Sequence, residues 1–233
     1  MFGIFNGTIV NALLVVVGTA AGLIFKTEQL QAIGERIFQV FALFVLAMGI
    51  SGASDLSQPI FILASVVSGV AIGELVDLDD KFNRLGKALE NRFARKGDGN
   101  FAKGFIQASL LFCIGSMTVV GAMQSGMDNV HTVLYAKGLI DCVSAATFAM
   151  GMGIGVGFAA LSVLFYEGIL TLLAGIIAPI MSPEIIALSS TIGSLFLIGM
   201  ALNMLKLTDL KIANFLPAMF VPMIYEAFRL LLS

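Results

Sequence analysis

The stretch Leu110-Leu111-Phe112-Cys113-Ile114-Gly115-Ser116-Met117-Thr118-Val119-Val120-Gly121 opens the region, running to Gly168, whose reading decides the fold. Two long apolar segments fill it. The second carries Lys137 and Asp141, then Gly151, Gly153, Gly155 and Gly157 on alternate residues, then Glu167. Between Gly104 and Leu205 only five residues are Asp, Glu, Lys or Arg: Asp128, Lys137, Asp141, Glu167 and Glu184. Three of these lie inside apolar runs, where an ionised group costs several kcal/mol unless it has a partner or water. Small residues crowd around them, and small residues let helices approach closely. A functional site is expected here.

Composition sets the class. Of 233 residues 58% are hydrophobic and only 12% charged, against about a quarter charged in a soluble domain. Mean hydropathy is +0.99. The chain therefore reads as a polytopic membrane protein whose first partner is the lipid bilayer. A formal net charge of −2, with no basic stripe carrying interleaved aromatics, argues against a nucleic-acid partner. Met1 to Asn6 has no positive region of the kind that opens a cleaved signal peptide. Cys113 and Cys142 both fall in apolar spans and lack metal-ligand spacing, so they read as small packing residues.

Crossing a bilayer takes about 20 apolar residues. Taken in order, the chain predicts eight spans: 5–25, 36–53, 58–77, 104–124, 132–151, 156–181, 185–205 and 211–231. The run from Leu139 to Met181 is too long for one helix. It is split at its glycines, which weaken a helix and permit a tight turn. Charge distribution tests the count. The longest loop, 78–103, carries seven Lys and Arg and is placed in the cytoplasm; eight spans then bring Lys26, Arg36, Lys206 and Lys211 to the same side, leaving Lys137 and Arg229 as exceptions. Seven spans would send Lys206 and Lys211 across. Eight is the better count, and it puts both termini outside.

Within the 78–103 loop, Leu78, Phe82, Leu85, Leu89 and Phe93 recur at three- and four-residue spacing. This predicts an amphipathic helix over 78–93, capped by Asp79 or Asp80, lying on the membrane or on the bundle. A weak internal repeat pairs spans 1–3 with spans 6–8: Asn6-Gly7 with Glu167-Gly168, and Glu74 with Glu226. An offset of five spans reverses orientation, so the expectation is a 3+3 inverted repeat around spans 4 and 5. Such repeats are common in secondary transporters.

Lys137 and Asp141, four residues apart, share one face of span 5. Asp141 is expected about 13 Å below a boundary at Thr132, near mid-bilayer. A Lys–Asp pair on one helix can neutralise itself and ease insertion, or it can supply a cation-responsive carboxylate. In span 4, Gly115, Ser116, Thr118 and Gly121 could break the helix and free carbonyls and hydroxyls to coordinate a cation or polar solute. They could instead form a close-packing surface. Glu167 is a further mid-membrane carboxylate. Asn6, Asn11, Asn203 and Asn214 read as interhelical hydrogen-bonding residues, and Asn11 joins the candidate set.

The glycines from Gly151 to Gly157 do not make a dinucleotide fingerprint, because Val156 stands where the pattern needs glycine and no predicted strand precedes it. No Ser-His-Asp order, metalloprotease helix or P-loop is present. The lone His131 falls in a loop. The chain is not expected to be an enzyme or to carry a metal or cofactor.

Several of these residues together resemble a known family. Leu111-Phe112-Cys113 with Gly115, Gly121-Ala122-Met123, Gly126-Met127, Ala136-Lys137, Asp141, Phe148-Ala149 and Gly153-Ile154 are similar to the YqgA-like bacterial inner-membrane proteins, domain-of-unknown-function family 554. Asn6-Gly7, Gly73-Glu74 and Leu216-Pro217-Ala218 fit the same pattern, so the likeness covers essentially the whole chain. It implies a multi-pass protein of the bacterial plasma membrane and no particular substrate.

The expected architecture is all-α, residues 1–233 forming one transmembrane domain. The leading function is transport of a small ion or polar solute coupled to protons or sodium. The rivals are an ion channel built as a homo-oligomer and a non-transporting scaffold acting through the 78–93 helix. In a background lacking Cys113 and Cys142, a cysteine at Ser233 is expected to label only from the non-cytoplasmic side, and one at Gly97 only from the cytoplasm. Cytoplasmic labelling of Ser233 would refute the eight-span topology.

Overall fold

The computed structural model describes residues 3–24, 31–54, 56–93 and 100–232. Lys26, Arg95, Lys96, Gly97 and Ser233, on which part of the topology argument rests, lie outside them. Along the described residues the helices are α1 (Asn6–Ile24), α2 (Gln31–Gly52), α3 (Pro59–Val76), α4 (Leu78–Phe93), α5 (Phe101–Cys113), α6 (Ser116–Asp128), α7 (Thr132–Met152), α8 (Ala159–Leu172), the short α9 (Ala174–Ile177), α10 (Pro183–Met204) and α11 (Val221–Leu232). Among these residues there is no strand. The protein is all-α and multi-pass.

Seven segments are individually long and apolar enough to cross a membrane, and α5 with α6 forms an eighth, bent by 64° at its break. The expected spans recur to within a few residues, apart from the start of α2 at Gln31 and the early end of α8 at Leu172.

The chain groups into two compact units. The first comprises Met1–Phe41, Phe82–Cys113 and Met117–Gly175. Its centre is the pairing of α1 with α7. A Cβ on Gly18 would strike the Cys142 carbonyl, and one on Gly22 the Ala146 carbonyl, so the two backbones touch. Gly7 meets Leu134. Rising numbers on α1 therefore meet rising numbers on α7, and the helices run parallel.

The same contacts show that α5 and α6 together run the depth of α7. At one end Gly104 faces Met152; at the other, Gly121 faces Leu134 and Gly126 faces the Thr171 carbonyl at the end of α8. The pair is a broken span rather than a hairpin returning to its own side. Asn129, at φ 55°, ends α6, and the Val130 N–H reaches back to the Gln124 carbonyl at 3.2 Å. This satisfies an end carbonyl in the manner of a Schellman turn.

The turn between α7 and α8 falls where the alternate glycines placed it, and they meet different neighbours. Gly153 adopts φ 81°, a conformation strained for side-chain-bearing residues. Gly155 lies against the Phe101 carbonyl, Gly151 against the Phe38 ring and Gly157 against Thr19. A short 3-10 turn, Ile154–Phe158, then leads into α8.

In the second unit (Ala42–Lys81, Ile114–Ser116 and Ile176–Ser233) α3 packs antiparallel to a nine-residue 3-10 segment, Ile212–Phe220. Gly69 meets Ala218 and Gly73 meets the Asn214 carbonyl. Pro217 lies inside that segment and supplies no N–H. Helix α10 starts on Ser182, whose hydroxyl accepts from the Ile185 N–H at 3.3 Å, with Pro183 in its first turn.

The amphipathic helix over 78–93 is present. Its cap differs from the expectation: Asp77, at φ 48°, accepts from the Asp80 N–H at 3.4 Å, while Asp79 and Asp80 sit in the first turn beside the positive helix end. Phe82 and Leu89 are half-buried, and Gly86 rests on Ala102. Leu85 is 50% exposed, so the protein does not cover it.

Close approach and free space make contrasting predictions. Gly18→Ala is expected to destabilise the protein by about 2 kcal/mol, because the backbone of Cys142 cannot yield as a flexible side chain would. Gly168→Ala, with no atom within 4 Å of the added carbon, should leave stability unchanged or raised. Thermal unfolding of the two variants in detergent measures the difference.

Candidate functional site

Three ionisable side chains meet inside the first unit. Lys137 and Asp141 lie one turn apart on α7 and are each 6% exposed; Glu167 on α8 is fully buried. Phe165, two residues earlier on α8, is 73% exposed, so the helix turns its aromatic ring to the lipid side and its carboxylate inward. The Lys137 ammonium pairs with Asp141 Oδ2 and also stands 3.2 Å from Glu167 Oε1. The same Glu167 oxygen accepts from Asn11 Nδ2 at 2.8 Å. Three helices thus supply four polar side chains to one point.

Packing explains why they converge. The glycine contacts of α1 bring it against α7, and Gly138 lies directly on Asn11: a Cβ there would be 3.1 Å from the Asn11 Cα. That gap directs Asn11 past α7 toward α8. Asp141 is the tenth residue of a 21-residue helix, about 14 Å along it and near its middle. The fifth helix ends at Cys113. The last carbonyls of a helix carry partial negative charge. One of them, Phe112 O, accepts from Thr118 Oγ1 at 3.3 Å across the break.

The eight sequence candidates separate. Lys137, Asp141, Glu167 and Asn11 come together. Thr118 is fully buried and spans the break in span 4. Gly121 is a packing position against Leu134 and Val133. Gly115 and Ser116 fall in the second unit, Gly115 at the break itself with no atom within 4 Å of an added Cβ. The expected break in span 4 is real, and it occurs where α5 stops at Cys113 and α6 starts at Ser116.

The sequence reading passed over several polar groups in this unit. Thr8 and Thr171 are 1% exposed, and their hydroxyls lack hydrogen-bond partners, as do Asn11 Oδ1 and Glu167 Oε2. Ser109 and Ser162 hydrogen bond between α5 and α8 at 2.8 Å. Ser125 contacts His131 Nδ1 at 3.0 Å. Threonine and serine are commonplace in membrane helices, so only their spacing relative to Asn11 and Glu167, one turn away in each case, could have marked Thr8 and Thr171.

Comparison with known proteins bears on this geometry. The family model described as "Protein of unknown function (DUF554)" matches residues 6–227. The chain is a DUF554 protein. It is 27% identical over 220 residues to the "Uncharacterized membrane protein YdfK" of Bacillus subtilis (strain 168), covering 93% of each chain. It is 28% identical over 222 residues to the "Uncharacterized protein YqgA" of Escherichia coli (strain K12), covering 93% of this chain and 94% of that one. No solved structure matches. The family resemblance read from spans 4 and 5 is therefore correct, and all four clustered side chains of this DUF554 protein fall within the matched residues.

A two-residue pair and a larger cluster behave differently when dismantled. Replacing both partners of an isolated buried ion pair is often neutral, whereas removing one costs about 3–5 kcal/mol. Here Lys137 also serves Glu167. Lys137→Met/Asp141→Leu should therefore remain destabilised, and adding Glu167→Gln should restore much of the loss. Equilibrium unfolding of the single, double and triple variants tests this. A double variant as stable as the parent would show that Glu167 is independent of the pair.

Proposed function

We propose that this protein is a secondary transporter of a small ion or polar solute, driven by protons or sodium, and that Lys137, Asp141, Glu167 and Asn11 form its coupling site. The observation that carries the reading is the buried three-charge cluster on two helices, held by a third. With both carboxylates ionised, one lysine leaves the group with one negative charge in excess. In a low-dielectric interior that charge calls for a mobile cation.

The chemistry of a cycle follows from the sharing of Lys137. Its ammonium can serve Asp141 and Glu167 together, or leave one of them when a cation arrives. Each change alters the local charge by one unit and so favours a different packing of the surrounding helices. The broken α5–α6 span supports the same reading, since discontinuous helices ending at mid-membrane are a recurrent way of presenting carbonyls to a transported ion. The family resemblance implies a bacterial inner-membrane location, and the distribution of Lys and Arg favours both termini outside.

Flux measurements decide between transport and a scaffold role. In proteoliposomes loaded with a pH-sensitive dye, or with radioactive sodium outside, the wild-type protein is expected to carry cation flux above that of protein-free vesicles. Asp141→Asn should insert and fold but lose flux at least about tenfold, a barrier change of about 1.4 kcal/mol. Full flux in Asp141→Asn would make the pair structural. Wild-type vesicles indistinguishable from empty ones under both gradients would remove the transport reading.

A further inference from the structure

The cluster has a second layer that no ion pair uses. Thr8 precedes Asn11 by three residues on α1, and Thr171 follows Glu167 by four on α8, so each lies on the same helix face as its partner. Helices α1 and α8 run antiparallel, since Thr19 near the end of α1 meets Gly157 just before α8. One turn from the Asn11–Glu167 contact, toward the start of α1, both helices therefore present a threonine at the same level.

Four oxygens on these residues are buried without a hydrogen-bond partner: Thr8 Oγ1, Asn11 Oδ1, Glu167 Oε2 and Thr171 Oγ1. All four residues are between 0% and 1% exposed. The orientation of the Asn11 amide is fixed, because its Nδ2 donates to Glu167 Oε1 and the reverse would set oxygen against oxygen. An amide oxygen and a carboxylate oxygen can only accept. Lys137 does not answer them: its ammonium is engaged by Asp141 Oδ2 and by the other Glu167 oxygen. Two buried obligate acceptors beside two hydroxyl oxygens, in a group with one excess negative charge, suit a bound cation.

We propose that Thr8, Asn11, Glu167 and Thr171 form a binding site for a small alkali cation of sodium's class, entered from the end at which α1 begins. The inference rests on reading the cluster as an ion-coupling site. A monovalent ion neutralises the single excess negative charge, whereas a divalent one would leave a positive charge of its own. The donor set has oxygen only, which suits a hard cation rather than a transition metal. Close burial on all sides disfavours potassium, whose larger radius would require the helices to part.

The direction of entry follows from what lies above and below. Toward the start of α1 the next polar group is Ser125, whose hydroxyl would be 3.2 Å from a Cβ on Gly7 and which holds His131 at 3.0 Å. In the opposite direction the next turn of each helix is Val15 and Val163, both fully buried.

The test is cation-dependent stability of the purified full-length protein in nanodiscs, in NaCl, LiCl, KCl or choline chloride at equal ionic strength. Sodium or lithium is expected to raise Tm saturably, by about 5 °C at a hundredfold excess over Kd, with potassium no better than choline. Thr8→Val and Thr171→Val should keep the wild-type Tm in choline and shift half-saturation at least about tenfold upward. Equal Tm in NaCl and choline chloride, equal stabilisation by potassium, or valine variants that titrate like the wild type would each overturn the site. Should sodium have no effect while proteoliposomes show proton flux that Asp141→Asn abolishes, the transport reading stands and this one fails. Sodium binding with flux unaffected by Asp141→Asn would be the reverse.

Discussion

Holding Lys137, Asp141 and Glu167 inside an apolar bundle is the constraint on which the rest of the first unit depends. Each charge alone would be costly at mid-membrane. Together they are tolerable only if the lysine reaches both carboxylates and if a neutral donor shares the load. Asn11 is that donor, at 2.8 Å from Glu167. It can be so only because α1 touches α7 backbone to backbone at Gly18 and Gly22 and sits on Gly138. The glycines are thus the steric precondition of the electrostatics. In lipid, where no hydrophobic force drives one helix against another, packing and interhelical hydrogen bonds must supply the attraction. The cluster and the glycine stripe support each other.

Much of this was legible in the chain, and the reasons are physical. Eight spans followed from run length and from the side on which lysine and arginine fall. The α7–α8 turn followed from alternate glycines. Lys137 with Asp141 followed from the four-residue period of one helix. Each of these depends on residues close in sequence. The Glu167 and Asn11 contacts do not. They join residues 156 positions apart, and nothing local to either fixes which helix faces which. Thr118 and Gly121 show the converse failure: small and hydroxylated residues in mid-span suit both a ligand and a packing contact, and the structure uses them to bridge the break and to seat Leu134. The helix cap falls at Asp77, two residues before the nearer of the expected aspartates, within the ordinary scatter of helix boundaries.

Helix α4 illustrates a different limit. Its apolar stripe predicts burial but cannot say what covers it. The structure covers Gly86 with Ala102 and half-buries Phe82, leaving Leu85 and Phe93 half exposed. An amphipathic helix with an apolar stripe left in part uncovered has the pattern of one that lies flat on a membrane surface.

Where the first unit can move follows from where it cannot. The parallel pair α1 and α7 has no side-chain cushion at Gly18 and Gly22: sliding one helix would drive a backbone into a carbonyl. Close-packed contacts of this kind have discrete arrangements rather than continuous ones. The breaks are different. At Ile114–Gly115 the helical ladder is interrupted, and a Cβ on Gly115 would meet nothing. At Gly153 a positive φ and a 3-10 turn replace the helix before α8, which carries Glu167. A conformational cycle that alters the partner of Glu167 while preserving Asn11 against α7 must therefore rotate α8 about the Gly153 turn, or re-aim α5 about its break. In the proposed transport cycle the fixed pair is the reference against which the carboxylate on α8 changes its neighbours.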